Sequence, residues 1–147
     1  MKQATLIFLL LGAILALVAQ TSAWEWAVSG GGTVNDYCSE ICADPAGNSY
    51  TTGSFQGTAY FGSFTITSAG TQDVFVAKTD NAGNYVWVVR GGGADGDQGW
   101  AIARDSSGNI FVSGYFAGTA TFGTHSVTSV GQFDMFVAKL DPDGNWL

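Results

Sequence analysis

The chain of 147 residues is poor in charge, and poorest in basic charge. Only 12% of its residues are charged, and five Lys and Arg stand against 12 Asp and Glu, which gives a formal net charge of −7. Binding to nucleic acid or to an anionic membrane surface needs a cationic protein surface. The composition therefore disfavours both kinds of partner.

Cysteine is scarce, with Cys38 and Cys42 as the two copies in the sequence. On an extended strand, positions i and i+4 lie about 13 Å apart, whereas a disulfide needs Cα atoms closer than about 7 Å. We therefore expect small buried thiols here, unless the segment bulges. Zinc would need further ligands that are not present nearby.

Glycine and apolar residues, in contrast, are abundant. The chain has 21 glycines, and 46% of its residues are hydrophobic. This hydrophobicity is too high for a disordered chain. Many short strands joined by tight turns are typical of such a composition.

Residues 1–23 differ in kind from the rest. Lys2 precedes an apolar run over residues 4–19, and small residues follow up to Ala23. A basic start, an apolar centre and a small-residue end are typical of a cleavable secretory signal peptide. An uncleaved N-terminal anchor is the alternative, although the run is shorter than the about 20 residues that span a bilayer. We predict a secreted, periplasmic or cell-surface protein with no membrane contact after cleavage.

The remaining sequence repeats with a period of 61 residues. Shifting it by this length places Trp26 on Trp87 and one Gly-Gly-Gly run on the other, without a gap. A match that keeps register over this length indicates two copies of one structural unit. We assign residues 24–86 to the first repeat and residues 87–147 to the second.

A turn motif, Asp-x-x-Gly-Asn, punctuates both repeats. In this motif we expect the aspartate oxygen to accept backbone amides, and the glycine to take the positive φ that closes a hairpin. The motif starts at four positions: Asp44, Asp80, Asp105 and Asp141.

Strand-like runs flank these turns. They cover residues 39–44, 48–55, 73–79, 84–90, 99–105, 109–116 and 134–140, with short hairpins at 59–61/64–68 and 121–122/126–129. Within these runs, residues 74–77 and 110–112 lack the polar residue expected at every second position, which is typical of sheets covered on both faces. The fold class is therefore all-β, and four short antiparallel strands per repeat predict two blades of a β-propeller. A β-sandwich or a β-helix is the alternative.

The repeated strings carry a resemblance to a known family. Trp-x-Val-x-Gly-Gly-Gly, Gly-Thr-Ala-x-Phe-Gly and Asp-x-Phe-Val-Ala-Lys occur in both copies. In these strings, residues 24–147 resemble the bacterial secreted β-propeller repeats called SBBP. The resemblance implies a propeller scaffold on extracellular proteins, often beside surface-attachment modules, and no defined chemistry.

The sequence stops at Leu147, partway along what would be a further Trp-containing strand. Propellers close with about four to eight blades, and two blades leave sheet edges and apolar faces open. We expect an incomplete ring, belonging either to a fragment of a longer protein or to a homo-oligomer that closes by rotational symmetry.

Four aspartates are candidate calcium ligands. Asp95 and Asp97 lie in a glycine-rich loop, and Asp141 and Asp143 lie in an Asp-Pro-Asp-Gly-Asn turn. Calcium binds six to eight oxygens, and neither segment has the full spacing of a known calcium loop. We therefore predict no cofactor, with calcium at these aspartates as the alternative.

Trp100 is the candidate ligand-binding residue. Its counterpart in the first repeat is Ser39, and it follows the acidic loop, where an aromatic ring can stack on a sugar. Trp26 and Trp87 recur and are expected in the core. His125 replaces Phe64, and we interpret it as a hairpin residue rather than a catalytic one.

The triglycine runs lack the Lys-Ser/Thr pair and the helix of a phosphate-binding loop. We interpret them as bulge or strand-exit glycines.

We predict no catalytic residues and a noncatalytic extracellular scaffold that binds a protein or a glycan. Two alternatives remain: a lectin-like propeller completed by oligomerisation, and a fragment of a propeller hydrolase or lyase.

Overall fold

The computed structural model describes residues 23–147, and these residues form β-strands and no α-helix. None of them belongs to a helix able to cross a membrane. The predicted signal peptide, apart from Ala23, lies outside the described residues. The strands are β1 (Gly30–Gly32), β2 (Tyr37–Ala43), β3 (Ser49–Phe55), β4 (Thr58–Phe61), β5 (Phe64–Thr67), β6 (Asp73–Thr79), β7 (Tyr85–Gly93), β8 (Gln98–Arg104), β9 (Ile110–Phe116), β10 (Thr119–Phe122), β11 (His125–Thr128) and β12 (Asp134–Leu140).

Two blades account for most of these strands. Blade 1 is an antiparallel sheet in the order β2-β3-β6-β7. Blade 2 repeats it as β8-β9-β12, and Trp146 begins a fourth strand by pairing with Leu140. The register is the same in both, since β3 begins opposite Thr79 and β9 begins opposite Leu140. The prediction of propeller blades is confirmed.

Strand β7 belongs to both repeats. Its first part closes blade 1, and Gly92 and Gly93 at its end pair with β10 of the second repeat. β1 pairs in the same way with β4 of the first repeat. The predicted boundary between residues 86 and 87 falls inside this strand.

The triglycine runs, interpreted as bulge or strand-exit glycines, differ in position: the second run does lie at a strand end, whereas the first is a strand by itself. They are strand residues: Gly30–Gly32 is β1, and the second run ends β7. A Cβ at Gly91 would overlap the Phe122 ring, and one at Gly93 would overlap the backbone of Thr119. Only glycine therefore lets the neighbouring hairpin approach this closely.

The predicted covering of both sheet faces is also found. In β6, Val74 and Val76 join a core shared with blade 2, whereas Phe75 and Ala77 face the opposite way, into a core with the β4–β5 hairpin. We call the Val74/Val76 side of blade 1, and the equivalent side of blade 2, the downstream face. The other side is the upstream face.

The four Asp-x-x-Gly-Asn turns close as predicted. In the first, Asp44 Oδ1 accepts the amides of Ala46 and Asn48 at 2.9 and 3.0 Å, and Gly47 has a φ of 84°. The Asn48 side chain donates to Asp44 Oδ2 at 2.8 Å. The same bonds recur at the other three turns, which begin at Asp80, Asp105 and Asp141.

The recurring tryptophans hold two of these turns. The buried Trp87 covers Gly144, and its Nε1 donates to the Pro142 carbonyl at 3.2 Å. Trp26 is half-buried and donates in the same way to the Asn81 carbonyl at 3.1 Å. The predicted core position is confirmed for Trp87, whereas Trp26 is half-buried.

Candidate functional site

The downstream face of blade 1 is covered by blade 2. Val74 and Val76 are fully buried, and Thr52 packs against Gly99 of β8 with no room for a Cβ between them. Glu40 reaches across the junction, where its Oε2 accepts the amide of Ile102 at 2.6 Å. The two blades therefore share one continuous apolar core.

The same face of blade 2 is open. Met135 and Val137 occupy the positions of Val74 and Val76, yet their exposed fractions are 78% and 67%. Phe111 is exposed beside them, with the Lys139 ammonium 5.4 Å from its ring centroid. Apolar side chains clustered on an exposed sheet face mark an interaction surface.

Trp100 lies at the border of this open face. It is the extra residue of a β-bulge in β8, between Gly99 and Ala101, and it is 59% exposed. Its ring meets Tyr115 edge to face, with the centroids 5.5 Å apart. Tyr115 in turn meets the exposed Phe133 at 5.1 Å, in the same orientation.

Tyr115 and Phe133 escaped the sequence prediction, although the signal was present. Their counterparts in the first repeat are Ser54 and Gln72, as the counterpart of Trp100 is Ser39. Three polar residues have thus become aromatic at one end of one blade. Comparing the repeats position by position would have found the whole cluster.

Asp97 is a buried structural residue. Its Oδ2 accepts the amide of Gly93 at 2.6 Å, and its Oδ1 accepts that of Ala117 at 3.3 Å. Asp36 makes the equivalent bonds in the first repeat, at Gly32 and Gln56. The Asp97 carboxylate therefore joins the end of β7 to the segment between β9 and β10 through hydrogen bonds.

A second buried carboxylate, Asp73, lies close to Asp97. Both have an oxygen within 3.0 Å of the point that a Cβ on Gly92 would occupy. Asp73 Oδ2 accepts the Arg90 guanidinium at 2.8 Å, whereas Oδ1 is buried without a hydrogen-bond partner among the described residues. Desolvation raises the pKa of both carboxyl groups, and their mutual repulsion adds to the rise at Asp97.

The other three calcium candidates lie in a loop and in a turn. Asp95 is exposed in the loop, and Asp143 is exposed in its turn. Asp141 accepts three hydrogen bonds within that turn, and its bonds from Asn145 lower its pKa. Within residues 23–147, no three His, Cys, Asp or Glu side chains are grouped closely enough to hold a metal ion.

The cysteines and the histidine lie on the surface or near it. Cys38 is exposed and Cys42 is half-buried, and both are free thiols whose pKa is raised by desolvation. The expectation of buried thiols is therefore wrong for Cys38, which precedes a bulge in β2. His125 is exposed at the start of β11, as a hairpin residue.

A groove of about 410 Å³ opens on the upstream side of blade 1. Ile41 and Cys38 from the edge strand β2 line it together with Trp26, Phe75 and Tyr85. Ile41 is 59% exposed, whereas its counterpart Ile102 is 5% exposed because blade 1 covers it. The groove is therefore the space that a preceding blade would fill.

Comparison with known proteins supports the architecture. No family model matches the chain, so membership of the SBBP family stays a prediction. Over 85 residues, 53% of this chain, it is 36% identical to the uncharacterized WD repeat-containing protein L264 of Acanthamoeba polyphaga mimivirus, where the match covers 6% of that protein. Over 78 residues, again 53% of the chain, it is 32% identical to the regulatory protein FlaEY of Caulobacter vibrioides, where the match covers 8%.

The chain thus spans less than a tenth of the length of these curated relatives. WD repeats are blades of β-propellers. Similarity to such a protein and the two equivalent antiparallel sheets lead to the same conclusion: this chain has a β-propeller repeat fold.

Proposed function

We propose that the chain is a noncatalytic extracellular repeat module, which binds a protein partner through the downstream face of blade 2. One observation carries the proposal. Val76 and Val137 are the same residue at the same position of the repeat, and the first is fully buried while the second is 67% exposed. A protein surface is what covers this position in blade 1, and the exposed copy is shaped for the same kind of contact.

The chemistry of the remaining polar residues supports a binding role rather than a catalytic one. Asp97 and the four turn aspartates use their oxygens to hold the backbone. Asp73 forms the ion pair with Arg90. These carboxylates thus have structural roles, which is what a noncatalytic scaffold requires of them.

The extracellular location rests on the signal-like residues 1–23 and on the resemblance to secreted propeller repeats. The names of the relatives are compatible with a module that works by contact, since one is a WD repeat-containing protein and the other a regulatory protein.

Hydroxyl-radical footprinting tests the proposal. Met135 and Val137 are expected to be oxidised rapidly in dilute purified protein, and at least about tenfold more slowly in the culture that secretes it, because a bound partner excludes the radical. Val130 is the control: it is exposed, and its counterpart Ala69 stays exposed beside blade 2. Equal oxidation of Met135 in both samples would refute the proposed binding face.

A glycan is the second candidate ligand, and the Trp100 cluster favours it. An exposed indole held edge to face by Tyr115 offers a flat apolar ring to a sugar. If the cluster binds sugar, Trp100→Ala abolishes binding on a glycan array, whereas Trp24→Ala at another exposed tryptophan has no effect. If the wild-type protein binds no glycan on the array, a glycan is ruled out as the ligand.

A further inference from the structure

We infer that the protein partner is a second copy of this chain, bound head to tail. The downstream face of blade 2 in one copy would dock into the upstream groove of blade 1 in the next. This inference rests on the proposed function, and it adds the identity of the partner. The contact would repeat the one that joins blade 1 to blade 2 within the chain.

The upstream side of blade 1 keeps most of the residues that fit against a neighbouring blade. Ile102 of blade 2 packs into the shared core, and blade 1 carries Ile41 at the same position. The identity extends over strands β2, β3, β4 and β6. The conserved pairs are Ile41/Ile102, Phe55/Phe116, Ala59/Ala120, Phe61/Phe122, Phe75/Phe136 and Ala77/Ala138. In blade 1 the other five are already buried in the core with the β4–β5 hairpin, so Ile41 is the residue of this set that a neighbouring blade would cover.

The downstream face of blade 2 also keeps apolar residues at the positions where blade 1 has them. Val137 repeats Val76, and Phe111 stands in place of Tyr50. A lysine lies over this ring in both blades, with its nitrogen 5.4 Å from the centroid: Lys78 over Tyr50 and Lys139 over Phe111. The open face of blade 2 is therefore a copy of a surface that already binds a blade.

Where the two ends depart from the internal junction, their changes in volume oppose each other. On the downstream face of blade 2, side chains are larger than in blade 1: Met135 replaces Val74, and Tyr115 replaces Ser54. On the upstream side of blade 1, they are smaller than in blade 2: Ser49 replaces Ile110, Thr51 replaces Val112 and Thr79 replaces Leu140. These substitutions add volume on one end and remove it on the other, whereas Cys38 in place of Gly99 adds volume on the upstream side.

Two positions of the internal junction have no equivalent between copies. Ala101 stands in place of Glu40, so the Ile41 amide lacks the bond that Glu40 gives Ile102, and Cys38 stands in place of Gly99. Gly99 contacts Thr52, whose hydroxyl is fixed by donating to the Phe75 carbonyl at 2.9 Å. Between copies, this contact would join Cys38 to Ser113. Among the described residues, the Ser113 hydroxyl makes no equivalent bond, so it can rotate away from the cysteine.

The contact leaves Trp100 accessible. Its counterpart Ser39 is exposed even though blade 2 buries Val74 and Val76 on that face of blade 1. The bulged residue therefore lies outside the blade-to-blade contact. A head-to-tail interface is heterologous, so it closes a ring when the rotation between copies allows and otherwise extends into a filament.

Analytical ultracentrifugation of the purified protein tests this inference with two charged variants. Val137→Lys alters the downstream face alone, and Ile41→Lys alters the groove alone; both side chains are exposed within the chain. An unpaired ammonium buried at either contact is expected to weaken self-association at least about tenfold, while the wild type forms species larger than a monomer. Val86→Lys is the matched control, since Val86 lies outside both surfaces and its counterpart Glu25 is already charged.

Mixing the two variants gives the decisive result. Each retains one unaltered end, so an equimolar mixture should form a dimer that grows no further. A mixture that stays monomeric, or a wild type that stays monomeric over all concentrations, overturns the inference; thermal unfolding confirms that each variant is folded. If Met135 is protected in culture while the pure concentrated protein remains monomeric, the protein-binding face stands and only the second copy is ruled out.

Discussion

Blade 1 and blade 2 have the same strands in the same register, but only one of their downstream faces is covered. Val74, Val76 and Asp73 in blade 1 are buried against blade 2. Met135, Val137 and Asp134 occupy the same positions in blade 2 and are exposed or half-exposed. The difference shows that burial here depends on the neighbouring blade rather than on the strand. Equivalent substitutions in the two blades should therefore have unequal effects.

The largest difference is expected for Val76→Asp against Val137→Asp. An aspartate at Val76 would place an unpaired charge in the shared core, at a cost on the order of 4 kcal/mol, a large part of the stability of a small domain. At the exposed Val137, the change should stay within about 0.5 kcal/mol. Urea unfolding of both variants in dilute solution measures the two values. Similar losses would contradict the burial of Val76 by blade 2.

A smaller difference is expected between two glycines. A Cβ on Gly70 would overlap the carbonyl groups of Gly93 and Ala94, which lie across the junction. Its counterpart Gly131 has nothing within 4 Å of the same point. We expect Gly70→Ala to lower the free energy of unfolding by about 1–3 kcal/mol, and Gly131→Ala to change it by less than about 0.5 kcal/mol. Equal unfolding midpoints would mean that the junction is looser than the structure shows.

The smallest effect concerns the pH dependence of stability. Desolvation raises the pKa of Asp73 above its unfolded value of about 4. The folded state thus holds this proton more tightly, so its stabilising contribution is present at low pH and is lost as the pH rises through the folded pKa. Asp73→Asn should flatten this decline in unfolding free energy above about pH 4, because asparagine does not ionise.

Asp134→Asn is the matched control for that experiment, at the half-exposed equivalent position. The turn aspartates act in the opposite sense. Bonds from Asn145 and its equivalents lower their pKa, so their contribution is lost as the pH falls. Urea unfolding at a series of pH values from acid to neutral separates the two effects: the loss of stability with rising pH that is due to Asp73, and the loss with falling pH that is due to the turn aspartates. The prediction is wrong if Asp134→Asn changes the decline above about pH 4 as much as Asp73→Asn does.

The repeat and its turns could be predicted from the sequence because both depend on local chemistry. Asp44 and Gly47 specify their turn through bonds within five residues, and the same residues recur in phase. Strands β6 and β12 have the bounds that were predicted. The triglycine strands could not be recognised in the same way. Their glycines are required by Phe122 and Thr119, which become neighbours only in the fold.

The candidate site was predicted in part. Trp100 was predicted as a ligand-binding candidate because it does not recur in the first repeat. In the structure it lies in an exposed aromatic cluster. The proposed binding face could not be recognised from the sequence. Val76 and Val137 are the same residue type in similar strands, and only the fold shows which of them has a neighbouring blade. The bond that Asp97 accepts from the Gly93 amide could not be predicted from the sequence, because it depends on strand pairing across repeats.

The strand shared between repeats affects how such a protein can change in length. Since β7 (Tyr85–Gly93) closes one blade and also pairs with the hairpin of the next repeat, the genetic unit and the folded unit are offset by one strand. Insertion or deletion of one whole 61-residue block, wherever its ends fall, gives every strand an equivalent partner. Recombination within the gene can therefore add or remove blades without breaking a sheet.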